Sequence, residues 1–111
     1  MRMYADEDHD LTVLDQDTRD AAVVTLRMLA DGTRLAVLWE LRAGELAVAE
    51  LCRRLSRPSP AVSQHLAKLR MAGLVATRRD GNQIFYRLPT SHVRQLVEDV
   101  VAHIQHVEDA R

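Results

Sequence analysis

The sequence contains a single cysteine, Cys52, among its 111 residues. That excludes an intramolecular disulfide framework and any CxxC zinc or redox motif. No apolar run approaches the ~20 residues needed to cross a bilayer. The opening residues MRMYADEDHD turn acidic at once, which speaks against a secretory signal peptide. A Gly-rich phosphate loop, a nucleophile motif and paired carboxylates are all missing, so nothing points to an enzyme. Repeats and low-complexity tracts are missing too. What is left, 47% hydrophobic and 28% charged, fits one soluble domain, expected in a cytoplasm. A core this small is marginal alone, so association with a second copy is a fair expectation.

The net charge of −1 conceals a polar arrangement along the chain. Residues 1–20 carry a net −5, residues 21–52 a net −1, residues 53–94 a net +8 and residues 95–111 a net −3. The basic block reads either as a solvated face or as a footprint for a polyanion. Residues 1–16 are polar and aperiodic and read as a mobile acidic arm, which leaves 17–111 as the folded domain.

Periodicity then divides the domain. Ala21, Val24, Leu26, Met28 and Leu29 suggest a helix from Asp17 that stops at Asp31-Gly32. Thr33 is placed to cap a second helix, with Leu35, Val37, Leu38 and Leu41 facing inward and Gly44 at its end. Trp39 reads as core or subunit contact. A short helix carries Val48, Leu51 and Leu55. Ser59 as N-cap and Pro60 as first helical residue begin the next one, which buries Val62, Leu66 and Leu69 and stops at Gly73. Two strand-like runs, LVATRR and QIFYRL, flank Asp80-Gly81-Asn82, a strong hairpin signal. Pro89 ends the second run, and residues 91–108 form the last helix. Two short helices joined by a break and followed by a two-stranded hairpin describe a winged helix-turn-helix, mainly α with a small β-hairpin.

In that arrangement the helix from Pro60 fits the major groove, and its early residues Ser59, Ser63, Gln64 and His65 reach base edges. Gln pairs bidentately with adenine, and Ser serves several bases. Lys68 and Arg70 meet phosphates further along, and Arg78 and Arg79 meet the backbone beside the wing tip. His65 also reads as a packed or capping histidine. A winged helix used for protein contacts is the alternative to a DNA reader.

The last helix carries two stripes. Val93, Leu96, Val97, Val100, Val101, Ile104 and Val107 cover an arc of roughly 140° at about 100° per residue, a face that suits a partner subunit or the same domain. Beside it, His92, Asp99, His103 and His106 fall within roughly 60°. Imidazole and carboxylate are ligands for Zn²⁺, Ni²⁺ and Co²⁺. His103 and His106, three apart, can chelate one ion, while His92 lies about 16 Å away along the axis. Two antiparallel copies of the helix would bring His92 of one to His103 and His106 of the other. Three solvent-facing histidines with no ligand is the plain alternative.

Four stretches, LADGTRLAVLWEL (29–41), ELAVAELCRRL (45–55), SPAVSQHLAKLRMAGLV (59–75) and RRDGNQIFYRL (78–88), resemble the ArsR/SmtB family of metal-sensing transcription regulators. The resemblance spans about residues 18–108. It implies a winged-helix homodimer, joined through its N- and C-terminal helices, that sits on an imperfect inverted repeat in promoter DNA and leaves when an inducer binds. The thiolate positions of one sensing branch fall on Ala47 and Ala49, so that site is absent, and Cys52 reads as a small buried side chain. The terminal-helix site of another branch falls on Thr90, His92, His103 and His106, with Thr90 where that branch carries Asp. Among family members the chain looks most like the nickel/cobalt-sensing branch, with zinc also possible. An octahedral ion would draw on Asp99, His9 or the amino group of Met1. A regulator of the same fold that answers to another signal, or to a separate metal-binding partner protein, fits the residues as well.

Overall fold

A computed structural model describes residues 13–110. It consists of helices α1 (Gln16–Leu29) and α2 (Gly32–Leu41), a short strand β1 (Leu46–Ala47), helices α3 (Val48–Leu55) and α4 (Ser59–Met71), strands β2 (Ala76–Asp80) and β3 (Gln83–Arg87), and helix α5 (Ser91–Asp109). Of the acidic arm expected over residues 1–16, residues 1–12, with His9 and Met1, lie outside the described residues.

The helix starts follow from capping chemistry. Asp15 accepts a hydrogen bond from Thr18 N at 2.8 Å and opens α1 one residue before the expected Asp17. At α2 the expectation of a Thr33 cap is corrected. Asp31 has the extended backbone of an N-cap and accepts from Arg34 N at 2.9 Å. Arg34 reaches back to the carbonyls of Met28 and Arg27, at 2.8 and 3.1 Å, and so satisfies orphan acceptors at the end of α1. At α4 the cap position belongs to Pro58, and Ser59 is already helical with no side-chain cap bond. Pro58 is fixed near φ −70° and ψ 150°, an extended geometry that serves as the entry to the helix. Pro60 then falls in the first turn, where its missing N–H costs nothing.

The wing has one strand more than expected. β3 pairs with β2 through Ala76↔Arg87 to Asp80↔Gln83, and also with β1 through Leu46↔Tyr86 and Ala47↔Phe85, giving an antiparallel sheet in the order β1-β3-β2. Two residues are too short a run to leave an alternation signal in the sequence. Gly81 and Asn82 form the two-residue tip, and Gly81 takes φ +63°, as the first position of a primed hairpin turn requires.

The core runs through Leu29, Val37, Leu38, Leu41, Leu51, Val62, Leu66, Leu69, Leu74, Val75 and Val97. It joins α2, α3, α4 and the first half of α5, with Leu46, Tyr86 and Leu88 of the wing packed against it. Helix α1 buries only Leu29 and rests on α2, while Val23, Val24 and Leu26 face outward. The radius of gyration is 15.7 Å, against about 13 Å for a compact 100-residue domain.

Candidate nucleic-acid interface and histidine face

Helix α3, a tight turn and helix α4 form the helix-turn-helix. The turn is closed at Ser56, which takes the left-handed conformation (φ 53°) while Arg57 N bonds back to Cys52 O at 3.1 Å. Val62, Leu66 and Leu69 lock α4 to the core. That leaves Ser59, Ser63, Gln64, Lys68 and Arg70 exposed. The structure thus brings the proposed base-reading and phosphate-binding side chains onto the open surface of one helix. Lys68 and Arg70 also sit in its last turn, where cations complement the helix dipole.

His65 is the exception. Its side chain is 23% exposed and turns toward the start of α2, with Nδ1 at 3.9 Å from the Asp31 carboxylate. That nitrogen is out of contact with solvent and has no hydrogen-bond partner among the described residues. Hydrogen bonding from Arg34 N holds the Asp31 carboxyl below its ordinary range, so it faces His65 as an anion. The packed reading of His65 therefore describes its position better than the base-reading one.

The basic block is smaller in space than in sequence. Arg53 and Arg54 both bind Glu50, and Arg54 also binds Glu40 at 3.2 Å. The hydrogen bond from Arg53, then that from Arg54, pulls the Glu50 carboxyl down to about 2. Arg78 is held by Glu45, with Nε at 3.0 Å from both carboxylate oxygens, and its guanidinium lies 4.9 Å over the Phe85 ring. That bond lowers the Glu45 carboxyl in turn. Three cations of the block are thus matched by three glutamates outside it. Arg57, Lys68, Arg70 and Arg79 remain as exposed cations on the helix-turn-helix and wing. Arg79 points to the opposite face of β2 from Arg78. The Arg53 and Arg54 pairs with Glu50 are visible in the sequence as i,i+3 and i,i+4 spacings. The Glu45–Arg78 clamp, 33 residues apart, carries no sequence signal.

On α5, His92, Asp99, His103 and His106 are all exposed. Gln95 Nε2 donates to Asp99 Oδ1 at 2.8 Å. Among the described residues of one chain, no group of three or more His, Cys, Asp or Glu side chains is positioned to hold a metal ion. The pair His103 and His106 shares one turn; His92 stands apart from it, as the helical rise requires. Thr90, where the resemblance looks for a carboxylate, caps α5 by accepting from Val93 N at 3.3 Å. Cys52 is half-buried against the core. The apolar stripe divides: Val97 is buried, whereas Ile104 is 54% and Val107 is 37% exposed.

A helix-turn-helix domain family model matches residues 29–78. The chain is 55% identical over 104 residues to the HTH-type transcriptional regulator KmtR of Mycobacterium tuberculosis, covering 94% of this chain and 78% of that protein. Among solved structures, HlyU from Vibrio cholerae superposes with a TM-score of 0.73 at 40% identity, covering 78% of this chain and 94% of that one. A homodimeric winged helix-turn-helix DNA-binding domain from Mycobacterium bovis, described as a possible ArsR-family transcriptional regulator, superposes with a TM-score of 0.77 at 30% identity, covering 87% and 93%.

Proposed function

Because the chain belongs to the ArsR/SmtB family of winged helix-turn-helix transcription regulators, we propose that it is a promoter-binding homodimer of repressor type. Its DNA affinity is set by a transition metal, Ni(II) or Co(II) ahead of Zn(II), held between the α5 helices of two subunits. The observation that carries this reading is the outer half of α5. Ile104 and Val107 form an uncovered apolar stripe, and His103 and His106 stand exposed directly beside it.

Covering that stripe with the antiparallel α5 of a second copy brings His92 of the partner to the half-site made by His103 and His106. Val23, Val24 and Leu26 of α1 are exposed apolar side chains as well. Two symmetric sites follow from the two-fold axis. A bound metal would supply a rigid cross-link between the subunits. The spacing of the two α4 helices depends on how the α5 pair is set, and that spacing decides whether both half-sites of an inverted repeat are reached. Thr90 adds no good ligand, so the tetrahedral set that zinc prefers is incomplete. An ion of higher coordination number draws further ligands from Asp99 or from the chain's first residues. No separate metal-binding protein is needed in this account.

A second reading is favoured by the commitment of Thr90 to capping and of Asp99 to Gln95. In it the fold regulates transcription without binding metal itself. Mixed dimers separate the two. His92→Gln protein and His103→Gln/His106→Gln protein each lack a complete site as homodimers. Mixed together, they regain one intact site per heterodimer if the site bridges subunits. Recovery of a Co(II) absorption signature on equimolar mixing, at about a quarter of the wild-type stoichiometry because half the dimers are mixed and each holds one site of two, supports the bridging site. No recovery, or no cobalt binding by the wild type, refutes it.

A further inference from the structure

A cleft of about 390 Å³ opens between the end of α2, the base of the wing and the first turn of α5. Three guanidinium groups line it: Arg42 from the C-cap of α2, Arg87 from the end of β3 and Arg94 from α5. Glu45, the one carboxylate in the lining, is bound to Arg78 and also feels the charge of Arg87, so it offsets the three guanidinium charges only in part. None of the three arginines forms a salt bridge with a described side chain. Arg42 is held flat on the Trp39 ring at 3.8 Å, and its Nε is out of contact with solvent without a hydrogen-bond partner among the described residues. Like charges gathered in a concave site repel, and an unpaired buried donor costs free energy. An oxyanion in the cleft relieves the repulsion, and a guanidinium stacked on an indole is preorganised to bind it through its terminal nitrogens. The hydroxyls of Thr90 and Ser91 and the positive end of α5 line the same wall.

The cleft meets the terminal-helix positions only at Thr90 and opens away from the histidines and from the reading helix. At about 100° per residue, Ser91 and Arg94 project roughly 120° around α5 from the histidine face. Arg87 lies at the opposite end of β3 from the wing tip, about 15 Å away by strand rise. We propose that the cleft is an effector site for a small polyanion, a molecule bearing two or more carboxylate or phosphoryl groups. Its walls come from α2, β3 and α5, so an occupant fastens the base of the wing to the terminal helix and shifts DNA affinity from there.

The test is calorimetric titration of the metal-free, full-length protein with inorganic phosphate and with citrate, at constant ionic strength set by sodium chloride. The expected result is saturable binding of at least one probe, weakened about tenfold or more in Arg42→Gln and Arg94→Gln and retained in His106→Gln. Arg87 is exposed, so Arg87→Gln gives the same reading should Arg42→Gln disturb the fold. The bound probe should also change promoter affinity at least threefold by fluorescence anisotropy. Heats that never saturate, or binding indifferent to all three arginines, overturn the proposal. So does binding without any change in DNA affinity. If Arg87→Gln and Arg94→Gln instead weaken DNA binding in the absence of either probe and flatten its salt dependence, the arginines serve DNA phosphates and the proposal fails.

Discussion

At the scale of single residues, two kinds of side chain on α4 have separable jobs. Gln64 is exposed on the reading helix and offers a bidentate amide, so Gln64→Ala is expected to cost about 1–3 kcal/mol on the operator and to relax preference at one base pair. Lys68→Ala is expected to weaken all sequences alike and to reduce the salt slope by about 1. Anisotropy on operator and scrambled DNA across a salt series distinguishes them. Glu50 makes a prediction about pH. Its folded-state value, about 2, lies below the ordinary 4.5 because Arg53 and Arg54 bind the carboxylate. A depressed carboxyl stabilises the fold above its unfolded value, and that contribution disappears as pH falls from about 4.5 through about 2. Glu50→Gln should therefore lower Tm at pH 7, modestly because Arg53 is well exposed, and the gap to wild type should close toward pH 2 in thermal melts. At this scale the sequence was only partly legible. The exposed Ser63, Gln64 and Lys68 follow from helical spacing alone. The half-buried position of His65 follows from the same spacing, three residues after Val62 and four before Leu69, whereas its approach to Asp31, 34 positions away, carries no sequence signal.

At the scale of elements, the periodic signals carried the helices and the hairpin, and errors collected at their ends. Thr33 and Ser59 are good N-cap types, yet Asp31 and Pro58 hold those positions. Which of several adjacent candidates caps a helix depends on where the preceding chain enters it, a tertiary fact. β1 escaped notice because its two residues are strand only by pairing with β3. Thr90 is the most informative end. As the cap of α5 it makes one bond to Val93 N, and Thr90→Ala is expected to cost about 1 kcal/mol in denaturant unfolding. Thr90→Asp keeps the cap and adds a carboxylate two residues before His92. Stability should hold or rise, since an anion suits a helix N-terminus, while Ni(II) affinity should increase at least tenfold if the α5 site is real. Competition titration against a chromophoric chelator measures it.

At the scale of the whole molecule, one chain leaves apolar surface on both terminal helices, at Val24 and Leu26 on α1 and at Ile104 and Val107 on α5. The stripe was readable in the sequence, but which part of it the chain covers by itself was not: that depends on α5 running on past α2 for several turns. Ile104 is 54% exposed, so Ile104→Glu should leave the fold intact while placing a charge in the dimer interface. Sedimentation velocity should show a monomer, or at least a tenfold weaker dimer, with an unchanged circular dichroism spectrum. Loss of the dimer should take tight operator binding with it, because each half-site alone engages one α4 helix.

Metal held across α5 is proposed to alter how the two α4 helices meet DNA. The most direct test is fluorescence anisotropy of the protein on its own promoter DNA, at one fixed salt concentration, first metal-free and then with excess Ni²⁺. A metal-bridged α5 pair should give tight metal-free binding that shifts tenfold or more with nickel, about 1.4 kcal/mol of coupling, and no shift in His103→Gln/His106→Gln protein. Tight binding that ignores nickel and cobalt alike, or a shift that survives loss of both histidines, would contradict it.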